Sequence, residues 1–382
     1  MEKLNANDLV NLIRSVFPHL SGDRELGTIV DVPRELKNDN TDWQKRRKIA
    51  QDWAEILKSR KKYLNLKSIK LIAYQDVGSN NADLPEHAFE IQDPLPESAS
   101  RLDSIGKKIS FKNIFRSAQL IIAPTEYSTT APLKVAAKQY GFRAATMPGF
   151  SEAMIPALKI DYNEVNRRVV LIKTKLDDAV AAEVNFLIDS QKSHTMFFDL
   201  RHRKAHASSG RFPERGTAGN VPSGEAYIVP YEGEKEEPSL TKGILPVQID
   251  NEIVLFTVKQ NRAYEARGSG KAARQENKHL TEDPAYGNMA ELGFGVLADF
   301  GIQPINEILL DEKLGFHIAF GRSEHFGGII GPKDFASPTS VIHLDRIYIP
   351  ATQPRVSIRS IDLTFAQNRT ETIMKEGKYT IF

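Results

Sequence analysis

Gly27-Thr-Ile-Val-Asp-Val32 is a short run rich in β-branched side chains, and Ser68-Ile-Lys-Leu-Ile-Ala-Tyr74 is a second. Between them, residues 41–60 carry Ile49, Trp53, Ile56 and Leu57 at the three- and four-residue steps that gather apolar side chains on one helical face. A strand, a helix and a second strand in this order predict parallel pairing with the helix laid on the sheet. The unit recurs further on, where Ala118-Gln-Leu-Ile-Ile-Ala123 precedes a helical stretch over 131–140. The fold class expected is therefore α/β, with a mainly parallel sheet in the N-terminal part.

Asp161 has the chemistry of an N-cap, with Glu164 three residues on as in a capping box. Val165, Val169, Ile172, Leu176, Val180, Val184 and Leu187 then continue at helical steps and predict one long core-facing helix, after which 194–200 returns as a strand. Beyond about residue 204 the chain becomes turn-rich. Val247-Gln-Ile-Asp-Asn-Glu-Ile-Val254 places a polar turn between two apolar arms, and 355–363 largely alternates. Two domains are expected: residues 1–203 as the α/β half, and 204–382 as an α+β, β-rich half that binds metal. Residues 201–224, basic and then rich in Gly, Ser and Pro, suit a linker or a loop crossing a cleft, and polar 262–284 suits a mobile surface loop.

Composition narrows the chemistry. The 51 basic and 49 acidic side chains leave a formal charge of +2 on 382 residues, no field for gripping a polyanion, so neither nucleic acid nor an anionic membrane is expected as partner. The start of the chain has no apolar signal core, and no run approaches the roughly 20 apolar residues of a membrane helix, so the expected compartment is the cytoplasm. With no cysteine, disulfides, thiol catalysis and Cys-ligated metals are excluded, and any metal must sit among His, Asp and Glu.

Gly268-Ser-Gly-Lys271 invites a phosphate-loop reading, but the Gly required five residues before its Gly-Lys is Glu265, and neither a feeding strand nor an apolar helix is expected around it. His202 and His206 are four apart, yet Arg201, Arg203 and Lys204 around them would repel a cation. A basic loop touching substrate or solvent fits better.

The informative stretch is 225–345. In Ser340-Val-Ile-His-Leu-Asp345 the apolar neighbours predict a strand, so His343 and Asp345, two apart, project from the same face. His317 sits in the apolar run Leu314-Gly-Phe-His-Ile-Ala-Phe320. Glu225 and Glu291 are framed by glycines, in Val221-Pro-Ser-Gly-Glu-Ala226 and Met289-Ala-Glu-Leu-Gly-Phe-Gly295, where backbone or ligand can approach closely. Taken singly, each has a plainer reading as a hydrogen-bonded core or turn residue. Together they are the mixed nitrogen and oxygen set preferred by Zn²⁺, Co²⁺, Mn²⁺ or Fe²⁺, and in outline a two-metal hydrolase site in which one carboxylate bridges.

At these residues the sequence resembles the aminopeptidase T family of metallopeptidases, the M29 class. The resemblance rests on Asn220-Val-Pro-Ser-Gly-Glu225, Ala290-Glu-Leu-Gly-Phe-Gly295, Leu314-Gly-Phe-His-Ile-Ala-Phe-Gly321 and Ile342-His-Leu-Asp345, in that order, and covers chiefly the C-terminal half. It implies that Glu225, Glu291, His317, His343 and Asp345 hold two divalent ions (Zn, Co or Mn). The activity implied is release of N-terminal amino acids from peptides by a metal-activated water, in a homodimer acting on small peptides. The family's Tyr after the first His is missing. Gly321-Arg-Ser-Glu-His-Phe-Gly327 stands there instead, so Glu324 or His325, with Glu225, becomes the candidate for moving a proton. The same superfamily look is shared by dihydroxypyridine ring-cleaving dioxygenases, which implies as alternatives one Fe(II) and a hydroxylated ring as substrate, or a non-catalytic relative.

Overall fold

The computed structural model describes residues 3–92 and 94–382. It divides into two compact units, Met1–Asn166 with Gly210–Ser223, and Arg167–Ser209 with Gly224–Phe382. The expected boundary at 203/204 is therefore moved. The second unit begins inside a helix near residue 167, and the first takes back a short segment, because the strands after that helix pair with C-terminal partners.

The first unit is built on β1 (Glu25–Val32), β2 (Ser68–Gln75), β3 (His87–Ile91), β4 (Gly106–Ser110), β5 (Leu120–Ala123), β6 (Arg143–Thr146) and β10 (Ala218–Asn220), in the order β10-β6-β5-β1-β2-β3-β4. Pairing is parallel from β10 through β2 and antiparallel at β3 and β4. β1 is buried along nearly its whole length, as a strand covered on both faces must be. On one face the helix Thr41–Arg60 starts under a cap from Asn40, whose side chain accepts from Trp43 N at 2.8 Å, and sets Ala50 and Ala54 against Val30, Leu71 and Ala73. On the other, the helix Thr130–Tyr140 buries Leu133 and Ala137 with Ile29, Ile72 and Ile121.

The second unit is antiparallel throughout. Its larger sheet contains β7 (Ala179–Ile188), β8 (Lys192–Asp199), β12 (Lys242–Ile249), β13 (Glu252–Lys259), β14 (Arg262–Arg267), β18 (Val356–Phe365), β19 (Thr370–Lys375) and β20 (Lys378–Tyr379), ordered β14-β13-β12-β8-β7-β18-β19-β20. The smaller contains β9 (His206–Ser208), β11 (Glu225–Ile228), β15 (Met289–Gly295), β16 (Phe316–Gly321) and β17 (His343–Ile347), ordered β17-β16-β15-β11-β9. The two sheets meet through aromatic rings, with the centroids of Phe256 and Phe320 5.1 Å apart. Among the described residues no helix is long and apolar enough to cross a membrane.

Several expectations change. The helix capped by Asp161, whose side chain accepts from Asn163 N at 2.9 Å, ends at Asp178. Residues 179–188 form β7, in which Val184, Phe186 and Ile188 are buried while Val180 is exposed and Leu187 half-buried. The Ala-rich run satisfied both periods, and pairing with β8 and β18 chose the period of two. The strand over 194–200 is the core of β8, which belongs to the antiparallel sheet.

The expected loop over 262–284 is instead β14 and the helix Lys271–Glu282, anchored by Ala263, Ala266, Ala273 and Leu280, apolar side chains too few and too small to announce themselves. That helix follows a strand after all, but its first turn is already filled. Glu252 accepts from Lys271 N at 2.7 Å and Ala272 N at 3.0 Å, placing a carboxylate where a phosphate would have to go. In 201–204, Arg201 is paired with Asp199 and Glu237, and Arg203 with Glu232 and Glu234, so these arginines brace the unit rather than reach outward.

Candidate metal centre

The smaller sheet of the second unit gathers the five predicted ligands on one face. Residues directly opposite in antiparallel strands share a face, as do residues two apart along a strand. The register pairs Glu225 with Gly295, Gly293 with His317, Glu291 with Ala319, Ala319 with Asp345 and Gly321 with His343. Four of those positions are Gly or Ala, so the five polar side chains rise from a floor of small residues. A Cβ on Gly293 would lie 1.9 Å from His317 Nε2, so only glycine leaves the imidazole its place. The reverse face carries Ala226, Leu292, Phe294, Phe316, Ile318 and Phe320 into the core.

The donors fall into two groups. Ligand atoms of Glu225, Glu291 and His317 lie within 4.8 Å of one another, and so do those of Glu291, His343 and Asp345. Glu291 belongs to both, one oxygen to each: Oε1 is 3.6 Å from His317 Nε2, and Oε2 is 3.1 Å from His343 Nε2. Glu225 Oε2 is 3.6 Å from His317 Nε2, and Asp345 Oδ1 is 3.6 Å from His343 Nε2. Each imidazole turns its other nitrogen to a backbone carbonyl. His317 Nδ1 donates to Gly315 O at 3.3 Å and His343 Nδ1 to Arg322 O at 2.8 Å, which leaves both Nε2 atoms facing the carboxylates.

The electrostatics are those of an anionic nest. Burial would push the Glu291 carboxyl up, but the His317 and His343 imidazoles override it and hold the group well below the usual carboxylate range. Burial also opposes charge on the imidazoles. The carboxylates win there too, lifting His317 to about 9 and His343 to about 11. Glu225 is raised by burial, against the opposing charges of Lys313 and His317. Its Oε2 is buried with no hydrogen-bond partner. A buried carboxylate oxygen with no hydrogen-bond partner, 3.6 Å from an imidazole nitrogen, in a donor set that draws protons onto its own histidines, could accept a divalent ion.

Glu324 and His325 lie beside this cluster, outside the two donor groups. Arg322 grips Glu324 through Nε at 2.7 Å and Nη2 at 2.5 Å and lowers its pKa. The His325 ring stands edge-on to His343, with centroids 5.4 Å apart. Burial and then the charge of His343 depress it to about 4, so it is neutral at neutral pH. His206 is not a ligand in either group. It stacks on Tyr227, and its Nε2 lies 3.0 Å from Phe326 O.

Sequence reasoning missed Lys313 and Glu312. Lys313 is buried, with Nζ 2.5 Å from Glu225 Oε1 and paired also to Glu312, which burial lifts to about 7. Asp311-Glu-Lys313 ahead of a strand reads as a solvated turn, and nothing in its pattern marks an internal ammonium.

No family model and no curated protein matches the sequence. Two solved structures share its fold. A 2,5-dihydroxypyridine dioxygenase of Pseudomonas putida KT2440 matches with a TM-score of 0.60 at 14% identity, over 100% of this chain and 99% of the other. Wild-type AmpT of Thermus thermophilus matches with a TM-score of 0.54 at 14% identity, over 98% of this chain and 99% of the other. At that identity the likeness speaks for the α/β fold.

Proposed function

We propose that the protein is a metal-dependent hydrolase of the aminopeptidase kind, releasing N-terminal amino acids from peptides. The observation that carries this reading is the shared carboxylate, Glu291 offering one oxygen to each of two donor groups. Divalent ions held by Glu225, Glu291 and His317 on one side and by Glu291, His343 and Asp345 on the other would supply Lewis acidity and an activated water. The chain's residues do the rest. The carbonyls of Gly315 and Arg322 hold both imidazoles in the tautomer that presents Nε2. His325 is neutral near pH 7 with its Nδ1 3.5 Å from Glu324, so the pair can relay a proton to a leaving amine without retaining it.

The likeness to a dihydroxypyridine dioxygenase favours a second reading, one non-haem Fe(II) acting on a hydroxylated ring. Non-haem iron oxygenases of the facial type use two imidazoles and one carboxylate. Such a set here would be His317 with His343 and Asp345, but among the described residues the ligand atoms that gather within 4.8 Å of one another are those of Glu291, His343 and Asp345, one imidazole and two carboxylates, which argues for the hydrolase. The test is to strip the protein with chelator, reload it with Zn²⁺, Co²⁺ or Mn²⁺, and assay amino-acid release from aminoacyl amides. Release restored by these ions is expected. Oxygen uptake with 2,5-dihydroxypyridine, dependent on a single iron and without amide cleavage, would overturn the reading.

A further inference from the structure

The two donor groups are unequal, and the inequality is built from a residue that is not a ligand. Lys313 donates to Glu225 Oε1 at 2.5 Å and shares its charge with Glu312, while Oε2 of the same Glu225 is left without a partner. The Lys313 side chain is 4% exposed, so no water screens this contact. Glu225 can therefore meet a cation through one oxygen only, with an ammonium drawing electron density from the other. A like charge fixed against the same carboxylate also opposes a dication, and in a buried site that opposition is not screened away. The outer group has no such competitor among the described residues. His343 pairs with Glu291 and with Asp345 and anchors on the Arg322 carbonyl.

We propose that Lys313 makes the inner group, Glu225 with Glu291 and His317, the weak half of the centre. One divalent ion is then retained tightly by Glu291, His343 and Asp345, while a second binds reversibly beside Lys313 and loads only when the ion is plentiful. This rests on the two-ion reading above and adds to it an order of loading and the residue that sets it. Glu312 tunes the effect. By sharing the ammonium it relieves Glu225 of part of that charge, so its removal concentrates Lys313 on Glu225.

The test is calorimetric titration of the chelator-stripped full chain with Zn²⁺, repeated with Co²⁺ so that its visible absorption reports each step. The wild type should bind in two steps separated at least tenfold in affinity. Lys313→Met should tighten the weak step by ~10–100-fold, the factor set by losing a charge-assisted hydrogen bond to the ligand, and leave the tight step unmoved. Lys313→Arg should preserve the gap. Glu312→Gln, which keeps the lysine and shifts the weak step in the opposite direction, decides the matter should Lys313→Met fold poorly. Two equal steps in the wild type, or a weak step unmoved by both Lys313→Met and Glu312→Gln, would overturn the inference while leaving the hydrolase reading standing. Failure to bind any ion would sink that reading, and this inference with it.

Discussion

Asp31 in the first unit and Glu225 in the second are both buried carboxylates on strands, and they differ in what their oxygens touch. Around Asp31 the donors are complete: Trp43 Nε1 at 3.1 Å and Glu126 N at 2.8 Å reach Oδ1, and Tyr127 N at 3.0 Å reaches Oδ2. Glu225 has Lys313 on one oxygen, nothing hydrogen-bonded to the other, and two further carboxylates across the same sheet face. Burial dominates at Asp31 and lifts it to about 6, with the donors limiting the rise. A satisfied carboxylate ties a fold together, whereas an unsatisfied one among its own kind is waiting for a cation.

The sharpest way to break this contrast is Glu291→Ala, which takes a ligand from both groups. Complete loss of retained metal is expected in elemental analysis after desalting, with the fold preserved by circular dichroism. Asp31→Ala should do the reverse, lowering unfolding free energy by about 3 kcal/mol by orphaning its buried donors, with metal content unchanged. Loss of metal from that variant would erase the distinction between the regions. Gly293→Ala comes next. Its methyl must displace His317, so the inner group should weaken by about tenfold or more in a metal titration while the outer one keeps its ion.

How far the sequence carried this account depended on where the partners lay. β1, β2 and β5 were legible because strands buried on both faces read as continuous apolar runs, and His343 with Asp345 because two-residue spacing fixes their common face. The switch from helix to strand at 179 was not, since an Ala- and Val-rich run fits both periods until β8 and β18 select one. Glu225 and Glu291 could be listed from their glycine frames, but only the register of β11, β15, β16 and β17 brings them to the same side as His317. Lys313 was invisible, because a lysine after Asp and Glu is ordinarily solvated. Its burial follows from the turn before β16, whose backbone lies so close to Gly295 that a Cβ there would sit 2.3 Å from the Lys313 carbonyl carbon.

Titration sharpens the comparison further. The folded-state pKa values of His317 and His343 are raised, to about 9 and about 11, so the stability they contribute is full below the unfolded value near 6.5 and is lost as pH rises through 9 and beyond. Asp31 is raised to about 6, so its loss falls between pH 4 and about 6 and is complete by neutrality. Melting of chelator-stripped protein should therefore decline between pH 7 and 10, and the decline should flatten when Zn²⁺ replaces the protons. A decline identical with and without metal would assign it elsewhere. The smallest effect expected is from Glu324→Gln. It leaves metal binding intact and lowers turnover by only a few-fold, because His325 retains its place beside His343, and the limb of the rate profile set by His325 moves to lower pH because the Glu324 charge that raises the imidazole is gone.

The most direct measurement of the central claim is metal-specific anomalous scattering from crystals grown with Zn²⁺ or Mn²⁺. The account predicts a strong peak against Glu291, His343 and Asp345, and a second, rising with metal concentration, against Glu225, Glu291 and His317. The absence of any peak at Glu291 under saturating metal would contradict it.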